Sequence, residues 1–132
     1  MAITLPVYQP TNAVSVATAS GGAETTSAVR MTHSAVSNHN ITRGALTGLS
    51  LHITTWGSGT ETITVRVYRA SDKTDLILET DAAFTAANDR AYIQPDLPVP
   101  FFDGVWVTIQ SDTGAVETCN IKPDVMGIAG NS

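Results

Sequence analysis

Apolar and polar residues alternate along several stretches of this chain, most clearly through Leu49, Leu51 and Ile53, with Ser50, His52 and Thr54 between them. Beyond Trp56-Gly57-Ser58-Gly59 the alternation returns, with Ile63, Val65 and Val67 set against Thr62, Thr64 and Arg66. A period of two puts every apolar side chain on one face of a strand, so the two runs predict a half-buried β-hairpin. Ser71-Asp72-Lys73-Thr74 predicts the next turn, because Ser and Asp side chains bond their own backbone there. Leu76-Ile77-Leu78 then opens a third strand, making an antiparallel meander. Val105, Val107 and Ile109 alternate with Trp106, Thr108 and Gln110. After Asp112-Thr113-Gly114, a partner strand over 116–121 predicts a second hairpin, ended by Lys122-Pro123 and followed by a Gly-containing tail.

Other stretches carry weaker patterns. Pro6 and Pro10 around Tyr8 disfavour both a helix interior and a central strand, and predict an extended arm that dresses its own domain or reaches a neighbour. Val14 and Val16, the Gly21-Gly22 turn, and Thr25, Ser27, Val29 and Met31 predict a hairpin whose small side chains specify its register weakly. The polar stretch 33–44 reads as a loop. The Ala-rich stretch 81–88 is compatible with a short helix capped by Asp81 or with a loop. A short strand is expected over 90–94, then a connector set by Pro95, Pro98 and Pro100 that crosses between two sheets. Roughly seven or eight short strands, with turns about every ten residues and no helical period, predict an all-β fold. The expected architecture is an antiparallel, jelly-roll-like β-sandwich over 13–132 with an extended N-terminal arm over 1–12.

Composition narrows the function classes. At 132 residues the chain fits one core. Charged residues make up 14%, well below the roughly one-quarter usual in soluble domains. The net charge is −5, and Arg30, Arg43, Arg66, Arg69, Lys73, Arg90 and Lys122 are scattered, so no basic stripe for a phosphate backbone exists and nucleic acid is not an expected partner. No stretch approaches the roughly 18 apolar residues of a membrane span, and the N-terminus lacks the form of an export signal, so synthesis in the cytoplasm is expected. Cys119 is alone and reads as a buried, inert thiol. Asn40-Ile41-Thr42 reads as a chance match to a glycosylation sequon.

Chemistry-bearing residues do not form a specific motif. His33, His39 and His52 read as surface histidines, and Ser58 lacks the strand-to-helix setting of a nucleophile elbow. Asp72, Asp75, Glu79 and Asp81 read as a solvated acidic turn, with a hard cation such as calcium as the alternative. Trp56, with Tyr8, Tyr68 and Trp106, offers either core packing or an aromatic platform for a sugar ring. Phe101-Phe102 reads as a core anchor for the crossover or a contact with a partner. The expectation is a protein that is not an enzyme, with no cofactor and no metal.

The segment Asp96-Leu97-Pro98-Val99-Pro100-Phe101-Phe102-Asp103-Gly104-Val105-Trp106-Val107-Thr108-Ile109, followed by a polar turn and a final strand, is similar to the C-terminal half of small β-sandwich virion proteins of tailed bacteriophages. The resemblance covers about the last third of the chain, and its final strand, over 118–122, lacks the aromatic ending of that pattern. It implies a capsid decoration, or cement, protein on the outer surface of a phage head. The implied partner is the major capsid protein, with the chain as a homo-oligomer, a trimer being the favoured state. The expected contacts are Leu5, Val7 and Tyr8 in the arm, with Trp56 as a further partner-binding residue. A tail, connector or fibre-base subunit and a carbohydrate-binding module are the rival expectations.

Overall fold

The computed structural model describes residues 7–35, 39–56, 60–113 and 116–129. Among them are ten strands: β1 (Val7–Gln9), β2 (Val14–Ala17), β3 (Val29–Arg30), β4 (Ile41–Thr55), β5 (Glu61–Tyr68), β6 (Leu76–Phe84), β7 (Arg90–Ile93), β8 (Val99–Phe101), β9 (Trp106–Ser111) and β10 (Thr118–Ala129). They form two antiparallel sheets packed together, an all-β sandwich. The first sheet is built on β4 and β10, whose register sets Leu49 against Pro123, Leu51 against Ile121 and Ile53 against Cys119. β10 carries β2 and β1 along its far edge, and β4 carries β7 and β8 along its own. The second sheet runs β3-β9-β5-β6. Ile63, Val65 and Val67 of β5 and Val107 and Ile109 of β9 turn inward onto Leu49, Leu51, Ile53 and Ile121, and Met31, Phe84 and Phe101 complete the core.

Two prolines sit within strands, and both avoid breaking a ladder bond. In a strand the N and C=O of one residue point to the same side. The Pro123 carbonyl accepts a hydrogen bond from Thr11 Oγ1 at 2.6 Å, so its nitrogen also faces away from β4, in the gap between β1 and β2. The Pro100 carbonyl accepts from Arg69 Nη1 at 3.0 Å, on the side of edge strand β8 away from β4. This is why β10 continues through Lys122-Pro123 to Ala129, where the sequence predicts an end.

Several expected pairings differ. β4 and β5 lie in different sheets, as do β9 and β10, so neither predicted hairpin forms. Alternation shows only that a strand has one buried face, and strands facing each other across the core satisfy it as well as strands side by side. The β5–β6 hairpin does form. Asp72 Oδ1 accepts from Thr74 N (3.2 Å) and Thr74 Oγ1 (2.6 Å), and Lys73 takes φ 64°. β2 and β3 are also split between the sheets, and Thr25 docks on Ile109, donating from its amide (3.0 Å) and hydroxyl (2.8 Å) to the carbonyl. The polar loop is shorter than predicted, because β4 already begins at buried Ile41. Over 81–88 there is no helix: β6 runs to Phe84, and Asp89 caps the following turn by accepting from the amides of Thr85 (2.9 Å) and Ala86 (3.1 Å). The proline-rich connector stays within the first sheet, since β7 and β8 both pair with β4, and the crossing follows at 102–105. There Gly104 takes φ 146°, and a Cβ would meet Arg30 Nη2 at 2.8 Å and Thr32 Oγ1 at 2.9 Å.

Candidate functional site

Of the expected partner contacts, Leu5 lies outside the described residues. Val7 and Tyr8 belong to β1, whose backbone pairs with Gly127 and Met126, so from Val7 onward the arm dresses its own domain. Trp56 is half-buried against the core and packs edge-on against Phe84, with ring centroids 6.4 Å apart and planes at 68°. Trp56 and Phe84 lie at the Glu61 end of β5, while Tyr68 and Trp106 face each other at the opposite end, roughly 23 Å away at strand spacing. Tyr68 and Trp106 are both buried; the Tyr68 hydroxyl donates to Glu24 at 2.8 Å, and the Arg30 guanidinium lies 5.0 Å above the Trp106 ring. These three aromatics therefore form no shared platform for a sugar.

The other candidates are dispersed. His33 Nδ1 lies 3.4 Å from Asn40 Oδ1, His39 is exposed, and His52 is half-buried opposite Asn120 and Arg90. The acidic turn is divided among separate partners: Asp72 bonds Thr74, Asp75 pairs with Arg69 at 2.9 Å, Glu79 pairs with Arg66 at 2.6 Å, and Asp81 accepts from Thr64 at 2.8 Å. Among the described residues no three His, Cys, Asp or Glu side chains gather into a metal-holding group.

Two further arrangements stand out. At the Tyr68 end, Leu97 and Phe102 bracket β8 with 77% and 74% of their surface exposed, while Phe101 between them is in the core. Of the double phenylalanine, Phe101 is the expected core anchor, and Phe102 stands in solvent. The backbone there is pinned by Arg69 on the Pro100 carbonyl and by Arg30 on the Asp103 carbonyl.

At the other end, Glu61 of the second sheet meets Glu117, which precedes β10 of the first, with 1% and 0% of their surface exposed. Ser111 Oγ donates to Glu61 Oε2 (3.4 Å), Thr18 Oγ1 to Glu117 Oε2 (3.4 Å), and the Glu117 amide to Thr18 Oγ1 (2.9 Å). Burial, then the hydrogen bond and the charge of Glu61, push the Glu117 carboxyl up to about 7. Two carboxylates this close require a proton or a cation between them. The sequence does carry a signal here. Glu61 sits in phase with Ile63, Val65 and Val67, and Glu117 in phase with Cys119 and Ile121, so each places a carboxyl on an inward face. Nearby Cys119 is buried, and burial followed by the charge of Glu117 pushes its thiol up to about 12.

No family model matches the chain, and comparison with curated proteins and with solved structures finds no match.

Proposed function

We propose that this chain is a structural virion subunit, a capsid decoration protein that binds the major capsid protein on the outer surface of a bacteriophage head, as a trimer. The observation that carries the reading is the Leu97–Phe102 end of the sandwich, where two large apolar side chains stand in solvent within the segment that resembles phage virion proteins. Such residues lose little by exposure in the free chain and gain when a partner's pocket removes them from water, by roughly 25 cal/mol per Å2 buried. The weakly charged surface allows copies to pack densely on a lattice with little mutual repulsion. Stabilisation follows from mass action, since a subunit that binds only the assembled shell lowers the free energy of that state.

The test is co-sedimentation of the purified protein with expanded, undecorated capsids. Saturable binding at a fixed ratio to capsid subunits, weakened at least tenfold by Phe102→Ser with Leu97→Ser, is expected. Absence of binding rejects the decoration role, and attachment to purified tails instead moves the chain to a tail or fibre-base position.

A further inference from the structure

We infer that Glu61 and Glu117 form a binding site for one calcium-sized divalent cation that ties the two sheets together. The inference is independent of the virion reading. It rests first on an orphaned atom: Glu117 Oε1 is fully buried and, when both carboxyls are ionised, has no hydrogen-bond partner. An ionised carboxylate without a donor or counter-ion inside a protein is costly. Beside it lies a second buried carboxylate, which as an anion accepts and cannot donate. The pair therefore lacks one positive charge at its centre.

The spacing of the surrounding oxygens points the same way. Elsewhere in this molecule hydroxyl-to-carboxylate hydrogen bonds run from 2.6 Å, Thr74 to Asp72, through 3.1 Å, Thr108 to Glu24, to 3.3 Å, Tyr68 to the second oxygen of Glu24. Around the pair both separations lie beyond that range: 3.4 Å from Thr18 Oγ1 to Glu117 Oε2 and 3.4 Å from Ser111 Oγ to Glu61 Oε2. Oxygens that share a cation at right angles, with bonds of 2.3–2.6 Å, stand about 3.2–3.7 Å apart, whereas magnesium would draw them to about 2.9 Å. The donor set is oxygen throughout, which selects a hard cation. Two carboxylates balance its charge, and hydroxyls and water would supply the remaining ligands.

Both carboxylates lie between the sheets, so the ion would be enclosed on folding and would stabilise the folded state alone. The experiment compares thermal unfolding of the intact chain at pH 8 in EDTA and in calcium chloride, alongside equilibrium dialysis against calcium. One calcium per chain is expected, with Tm raised by about 5–10 °C at a hundredfold excess over Kd. Magnesium at equal concentration should raise Tm less. Glu117→Gln should abolish the calcium increment, and Asp72→Asn, in the surface turn, should keep it. The inference is overturned if wild-type Tm is the same in calcium and EDTA with no calcium retained, which leaves a shared proton as the counter-charge. It is equally overturned if Glu117→Gln binds calcium as the wild type does.

Discussion

The hydroxyl of Thr11 donates a 2.6 Å hydrogen bond to the carbonyl of Pro123, joining residues 112 positions apart. The bond fills the gap between β1 and β2 on the outer edge of β10. Thr11 is buried, so water cannot replace its hydroxyl without a rearrangement. Thr11→Val keeps the shape and removes the donor, and should cost about 1–3 kcal/mol because a buried carbonyl is left unpaired. Urea unfolding measures the loss, and faster amide exchange in β1 and β2 should accompany it.

Ile109 and Phe102 should respond in opposite ways. Ile109 is fully buried at the centre of the second sheet, so Ile109→Ala should cost about 2–5 kcal/mol through lost burial and the cavity left behind. Phe102→Ser removes an exposed ring and should shift stability by no more than about 0.5 kcal/mol. Equal losses in denaturant unfolding would show that Phe102 packs in the core.

Glu24 pins the loop after β2 onto the second sheet, accepting from Tyr68 (2.8 Å) and Thr108 (3.1 Å) beside Arg66 and Lys73. Burial alone would raise its pKa, but these hydrogen bonds and charges outweigh it and hold the carboxyl below its ordinary value of 4.5. With the folded value depressed, the unfolded chain binds more protons in acid. The stabilisation is therefore present above the unfolded value and is lost as pH falls through the folded one. Glu24→Gln should cost about 1 kcal/mol at pH 7 and almost nothing at pH 2, as read from paired Tm measurements.

Cys119 is buried, and its thiol, pushed up to about 12, stays protonated at pH 8. A thiol reagent such as DTNB should leave the native protein untouched and titrate one thiol per chain after urea unfolding. Rapid modification of the folded chain would contradict this burial.

Much of the fold is legible locally. The inward phase of Leu49, Leu51 and Ile53, of Ile63, Val65 and Val67, and of Val105, Val107 and Ile109 is written in strict alternation, and all nine are buried. The turn at Asp72 is equally legible, since its bonds span two residues. Pairing is not. β4 and β5 lie in different sheets, as do β9 and β10, although the sequence between each pair reads as a hairpin turn, because alternation carries no information about whether the neighbour lies beside a strand or opposite it.

Sequence alone determined that this chain folds as half-buried strands around one core, because side-chain periodicity is a local consequence of backbone geometry. Tertiary structure alone decided which strands became neighbours, how Thr11 shelters Pro123, and that Glu61 and Glu117, each conspicuous only as a carboxyl in an apolar phase, meet between the sheets. Those relationships join residues far apart in the chain, and only close packing of both sheets brings them together.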